Sequence, residues 1–127
     1  MELMAGKQRL LIVEDDPRLR RVLAQLLRRD GFDCEVAEDG EVGLDRMRQE
    51  LFDLVITDMR MPNKTGLEMM VAARDELTTT PAFILLSGFH DHPPEVLREA
   101  GASRILTKPL PPRELRSHVS EVLAQAI

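Results

Sequence analysis

Three carboxylates, a hydroxyl and an ammonium each follow a short apolar run in this chain. Leu10-Leu11-Ile12-Val13 leads into Glu14-Asp15-Asp16, and Leu54-Val55-Ile56-Thr57 leads into Asp58. Phe83-Ile84-Leu85-Leu86 leads into Ser87, and Ile105-Leu106-Thr107 into Lys108-Pro109. Brought to one point, Glu14, Asp15 and Asp58 would repel one another and raise their own pKa values. A hard divalent cation removes that cost. Mg2+ takes oxygen ligands, keeps several waters, and commonly binds one or two carboxylates together with a phosphate. Lys108 is a compact charge suited to a phosphoryl oxygen or a carboxylate, and the Ser87 hydroxyl can donate to the same group. Asp58 stands alone after its run, which suits a nucleophile, since carboxylates form acyl phosphates. The chemistry these residue types allow is phosphoryl transfer.

Such residues must be held together by the elements between them. Unbroken apolar runs of this length read as parallel strands buried on both faces. In open parallel sheets, ligands bind outside the carboxyl ends of the strands. Strands are expected near 9–13, 33–37, 53–57, 82–86 and 104–107. Asp16-Pro17 opens a first helix, with an N-cap acid and proline in the first turn. Its residues Leu19, Val22, Leu23, Leu26 and Leu27 fall on one face, and Gly31 after Asp30 marks its stop. The second strand alternates, Cys34 and Val36 against Asp33 and Glu35, as an edge strand does. A helix near 41–49 follows Asp39-Gly40. Thr65 and Glu68 form a capping box for a third helix ending near Leu77. Pro93-Pro94 leaves room only for a short fourth helix, from about Pro94 to Gly101. The last helix runs over about 112–126, with Leu115, Val119, Val122 and Leu123 inward. Five strand–helix units imply a parallel sheet with helices on both faces.

The 127 residues suit one domain, and 43% hydrophobic content is enough for a core that, with no Trp or Tyr and four Phe, must be mainly aliphatic. A net charge of -5 argues against direct nucleic-acid contact, which wants basic patches. Cys34 is the single cysteine, so an intrachain disulfide is impossible. No run is long enough to span a membrane, and residues 1–6 do not resemble a signal peptide. A cytoplasmic location is expected.

Other chemistry-bearing residues have simpler readings. Asp16 is expected to cap its helix and not to bind metal. His90 and His92, with no third ligand nearby in sequence, are expected to be solvated. His118 reads as a surface or boundary residue. Arg18, Arg20, Arg21, Arg28 and Arg29 read as a solvated helix face. Met59, Met61, Met69 and Met70 read as packing.

Taken in order, Leu-Ile-Val-Glu-Asp-Asp (11–16), Val-Ile-Thr-Asp-Met-Arg-Met-Pro-Asn-Lys-Thr-Gly (55–66), Leu-Leu-Ser-Gly (85–88), Ala-Gly-Ala-Ser (100–103) and Thr-Lys-Pro (107–109) resemble the receiver domain of two-component response regulators. The resemblance runs from about Gln8 to Leu123. It implies an α/β fold: a flavodoxin-like (βα)5 doubly wound, parallel five-stranded sheet in the order 2-1-3-4-5, forming a single receiver domain over 1–127. It places Asp58 at the phosphoacceptor position. It places Glu14 and Asp15 at the acidic pair that holds Mg2+, with the backbone carbonyl of Arg60 as a further ligand. Ser87 falls on the switch hydroxyl, Lys108 on the lysine that contacts the phosphoryl oxygen, and Pro109 on a proline that is often cis. A histidine kinase or histidine phosphotransfer protein would supply the phosphoryl group. The face made by the fourth helix, fifth strand and fifth helix would shift to control an output domain or downstream protein, and could also form a phosphorylation-dependent homodimer. No membrane partner is implied, and no enzymatic activity beyond self-catalysed phosphoryl transfer and autodephosphorylation.

Three departures from the family pattern stand out. Ile105 replaces the usual aromatic switch residue. Pro93-Pro94 shortens or displaces the fourth helix. Phe89 and Arg60 occupy the two rim positions that tune hydrolysis, and Phe89 is expected to hinder the in-line water. Competing readings are an aspartyl-nucleophile phosphatase, which would want an acid where Arg60 stands, and a flavin carrier, which would want a Ser/Thr-rich phosphate loop. A further alternative is a pseudo-receiver acting as a phosphorylation-independent protein interaction module, against which the retention of Glu14, Asp15, Asp58, Ser87 and Lys108 argues.

Overall fold

The computed structural model describes residues 7–88 and 92–125. The elements alternate throughout: β1 (Arg9–Val13), α1 (Pro17–Arg29), β2 (Asp33–Ala37), α2 (Gly40–Gln49), β3 (Leu54–Asp58), α3 (Gly66–Glu76), β4 (Ala82–Ser87), α4 (Pro94–Glu99), β5 (Ala102–Thr107) and α5 (Pro112–Gln125). The strands form one parallel sheet in the order β2-β1-β3-β4-β5.

Both faces of the sheet are covered, so neighbouring residues on one strand serve different cores. Leu11, Val13, Val55, Phe83 and Leu85 pack with Leu44 and Met47 of α2, Met69, Met70 and Ala73 of α3, and Leu97 of α4. Leu10, Ile12, Leu54, Ile56, Ile84 and Leu86 pack with Leu23 and Leu27 of α1 and Leu115, Val119 and Val122 of α5. The period-two alternation of a strand produces this division, and it explains why the central strands are unbroken aliphatic runs. The four methionines Met59, Met61, Met69 and Met70 are buried in the first of these cores.

Local chemistry sets the helix starts. The Asp16 carboxylate accepts the Arg18 N–H at 2.9 Å ahead of Pro17, so Asp16 is the cap of α1. Thr65 Oγ1 accepts the Glu68 N–H at 3.1 Å, and Glu68 Oε1 accepts the Thr65 N–H at 2.9 Å, which completes the capping box of α3.

Several boundaries and faces differ from the sequence reading. β3 runs one residue later than expected, because the Asp53 carboxylate leaves the strand to accept the Arg9 N–H at 2.7 Å and so caps the start of β1. β5 starts two residues earlier than expected. Its register against β4 slips between Phe83 and Ile84, so Phe83 pairs with Ala102 and Ile84 with Arg104, and Ser103 is absorbed as a bulge. Val22 is 42% exposed, since it lies about one residue's rotation from the Leu19–Leu23–Leu27 stripe that meets the sheet. The arginines of α1 are not a uniformly solvated face. The Arg20 guanidinium donates to the Glu14 carbonyl at 2.8 Å and Arg28 to the Cys34 carbonyl at 2.8 Å, tying α1 to the ends of two strands. His118 is half-buried and meets Arg104, which also pairs with Glu121. α4 is six residues long, as Pro93-Pro94 led us to expect. No helix among the described residues is long and apolar enough to cross a membrane.

Candidate functional site

Register carries the strand-end residues to one edge of the sheet. Val13 pairs with Thr57, Asp58 with Leu86, and Ser87 with Thr107. Glu14, Asp58, Ser87 and Lys108 therefore end neighbouring strands or directly follow them. β1 and β3 flank the point where chain direction across the sheet reverses, the usual ligand crevice of such folds. Asp58 and Ser87 are 5% and 6% exposed, and Glu14 is 2% exposed; Asp15 is on the surface.

The Asp58 carboxylate is oriented from two sides. Its Oδ1 accepts the Met59 N–H at 2.9 Å, and its Oδ2 accepts the Lys108 ammonium at 2.8 Å. Lys108 reaches in from the loop after β5, which is fixed by its own N–H donating to the Ser87 carbonyl at 3.0 Å. The Lys108–Pro109 peptide is cis. Partial burial works to lower the Lys108 pKa, but the hydrogen bond to Asp58 and the charges of Asp58, Glu14 and Asp15 outweigh it, so the ammonium is held above its usual value. The Ser87 hydroxyl donates to the Gly88 carbonyl at 3.1 Å. Arg60 is exposed, two residues past Asp58. Ile105 is half-buried against the core beneath α2, α3 and α4. Phe89 and His90 lie outside the described residues.

Glu14 indicates what the site could hold. Its Oε2 accepts the Asp16 N–H at 3.1 Å, but Oε1 is buried with no hydrogen-bond partner. Burial pushes its carboxyl up to about 7, the Asp16 N–H opposes that, and the Asp58 charge adds to the rise. One carboxylate oxygen from each of Glu14, Asp15 and Asp58 lies within 4.8 Å of the others. Three converging acids with an unpartnered buried oxygen are the donor set of a small, oxygen-preferring cation, so these residues fit Mg2+.

The sequence reading missed the residues that support this set. Arg20 holds the Glu14 carbonyl, as described above. Gly66 lies so close under the site that a Cβ there would stand 2.5 Å from the Asp58 carbonyl oxygen and 3.0 Å from Leu85 Cδ1. Its own N–H donates to the Met59 carbonyl at 2.9 Å. Gly66→Ala is expected to lower stability by about 1–3 kcal/mol, the usual cost of overpacking a rigid contact. Because the obstruction is Asp58's own backbone, Mg2+ affinity should fall as well. Urea denaturation and Mg2+ calorimetry on one sample would read both, and an unchanged pair of values would show that β3 yields without effect on the site. The Gly at the end of a receiver-like motif was visible, but the atom it must avoid was not.

An open parallel sheet with a carboxylate cluster and an ammonium at its switch point defines a doubly wound α/β domain. This chain belongs to the response regulator receiver domain family, whose model matches residues 10–120. It is similar to the transcriptional regulatory protein CpxR of Escherichia coli K12, at 33% identity over 118 residues, covering 93% of this chain and 50% of that protein. Its backbone is similar to a receiver domain protein (CheY-like) from Methanospirillum hungatei, with TM-score 0.86, 29% identity, and coverage of 94% and 95% of the two chains. It is also similar to the response regulator TrrA of Thermotoga maritima in complex with Mg2+-BeF, with TM-score 0.78, 30% identity, and coverage of 90% and 97%. The chain spans about half the length of the curated relatives it matches first.

Proposed function

We propose that this domain accepts a phosphoryl group on Asp58 from a phosphohistidine of a partner kinase or phosphotransfer protein, with Mg2+ as cofactor. The observation that carries this reading is the Lys108 ammonium 2.8 Å from Asp58 Oδ2, beside carboxylates of Glu14 and Asp15. A carboxylate oxygen of Asp58 attacks phosphorus, the P–N bond to the donor imidazole breaks, and the imidazole leaves with the bonding pair and gains a proton. The product is an acyl phosphate. When bound, Mg2+ would offset the negative charge of the acids and of the incoming phosphoryl oxygens, with Glu14, Asp15, Asp58 and the Arg60 carbonyl as its protein ligands. Lys108 stays paired with the new charge. Hydrolysis of the acyl phosphate returns Asp58, at a rate that the family pattern ties to the residue types at Arg60 and Phe89.

Signalling follows from the added charge. A phosphoryl group brings roughly two negative charges and three strong acceptors. Ser87 and Lys108, on the loops after β4 and β5, gain a new partner, which biases the α4–β5–α5 face between two arrangements. Ile105 lies on that face, so the shift must be read out without an aromatic swing. The face would then act on an output domain or downstream protein, or pair with a second copy. The name of CpxR, a transcriptional regulator, agrees with an output of that kind. The domain itself acts as a cytoplasmic signalling module.

The test is intact mass after incubation with a small acyl phosphate or a phosphorylated kinase, with Mg2+ or with EDTA. One phosphoryl adduct that requires Mg2+ is the expected result. No adduct from either donor would move the reading to a pseudo-receiver.

A further inference from the structure

The loop from Met59 to Thr65 carries the Arg60 carbonyl, and its tip is held by a neighbouring loop. Asn63 Nδ2 donates to Asp39 Oδ2 at 2.8 Å. The other oxygen, Asp39 Oδ1, accepts the Val42 N–H at 2.9 Å and so caps α2. Asp39 is 7% exposed, a buried acid with both oxygens engaged. The Val42 N–H, and after it the Asn63 amide, outweigh its burial and hold its carboxyl below the usual range, so it is an acceptor at neutral pH.

The backbone around this bond is unusual in two ways. Asn63 has φ +69, and the Lys64 N–H donates to the Pro62 carbonyl at 2.7 Å, a tight turn with a left-handed centre. Such a turn costs free energy and persists where surrounding contacts hold it. The two loops also meet backbone to backbone, since a Cβ on Gly40 would stand 2.3 Å from the Lys64 carbonyl oxygen. At its base the loop is anchored to the site itself, through Met59 N–H to Asp58 Oδ1 at 2.9 Å and Gly66 N–H to the Met59 carbonyl at 2.9 Å. A loop pinned at its base by Asp58 and at its tip by Asp39 has little freedom in between, where Arg60 lies.

We propose that Asp39 and Asn63 are positioning residues, a clasp between the loops after β2 and β3 that sets the Arg60 carbonyl for a divalent cation. This rests on the Mg2+-dependent reading of the site. Partners that orient metal ligands without touching the metal are worth roughly 10–100-fold in affinity.

The test is calorimetric titration with Mg2+ alone of wild type, Asn63→Asp, Asp39→Asn and the double variant. Asn63→Asp tolerates the left-handed backbone but sets two carboxylates against each other. It also adds a negative charge beside a cation site, so simple Coulomb attraction would tighten Mg2+. The clasp requires the opposite sign, a loss of roughly ten-fold. Asp39→Asn keeps the helix cap, and the Asn63 amide can turn to present its oxygen, so it should stay within about two-fold of wild type. The double variant restores an amide–carboxylate pair with reversed polarity and should recover the affinity. Urea denaturation of each variant separates this from a general loss of folding, which would not be rescued by the reversed pair with the affinity. Equal or tighter Mg2+ binding by Asn63→Asp, or no recovery in the double variant, overturns the clasp. Absence of Mg2+ binding by wild type overturns the site reading and the clasp with it, and so differs from a failure of the clasp alone.

Discussion

Asp58→Asn is expected to abolish phosphoryl uptake completely while the protein remains folded. The amide nearly matches the carboxylate in shape. Its oxygen can still accept the Met59 N–H that holds Oδ1 at 2.9 Å. What disappears is the anionic nucleophile, together with the ion pair to Lys108. The neighbouring acids test the assignment, because Glu14 and Asp15 have oxygens within 4.8 Å of those of Asp58. Glu14 is poorly placed to meet a donor, since it is 2% exposed and its Oε2 already accepts the Asp16 N–H at 3.1 Å. Asp15 is exposed, and among the described residues no ammonium is bonded to it, whereas Asp58 is held by Lys108. Intact mass with Mg2+ and an acyl phosphate, followed by peptide mapping, would read the outcome. A phosphoryl adduct on the Asn variant would remove Asp58 from the acceptor role and point to Asp15.

Lys108→Ala should slow phosphoryl uptake by roughly 10²–10³-fold, the range found when one preorganised donor to a developing oxyanion is removed. The Lys108 side chain is 38% exposed, so its effect on stability is screened and should be small. Its effect on the reaction is larger, because it sits at the oxygen next to which the phosphoryl charge must come. Mg2+ binding should move the other way or not at all, since a cation that competes for Asp58 Oδ2 has gone. The rate and the Mg2+ dissociation constant, measured on one preparation, separate these effects. A parallel loss of metal affinity would show that Lys108 shapes the carboxylate cluster instead of assisting transfer.

The strand-end residues were legible because parallel strands buried on both faces leave an uninterrupted apolar signature with the functional residue at its end. The same signature was silent on finer points. Asp53 reads as the start of a strand, but it turns aside to cap β1, and nothing in an apolar run marks that exchange. Ser103 reads as a polar residue before a strand, while the β4–β5 register absorbs it as a bulge within one. Arg20 reads as one more exposed arginine, but its guanidinium holds the Glu14 carbonyl. A side chain long enough to reach either solvent or a neighbouring carbonyl gives the same letter in both cases.

Asp39 shows the division between sequence and tertiary structure most directly. The sequence places a helix start after Asp39-Gly40, and in the structure one Asp39 oxygen caps that helix. The other oxygen meets Asn63, 24 positions away, across two loops from different strand–helix units. By itself the sequence determined the five alternating units, the two-faced aliphatic sheet and the chemistry at its carboxyl edge, because these follow from short-range periodicity and from the residue that ends each run. Only the tertiary structure decided the unpartnered oxygen of Glu14, the close approach of Gly66 to the Asp58 carbonyl and the grip of Asp39 on Asn63. Those depend on distances between segments far apart in the chain, and such distances are set when the sheet register and the packing of its two cores are satisfied together.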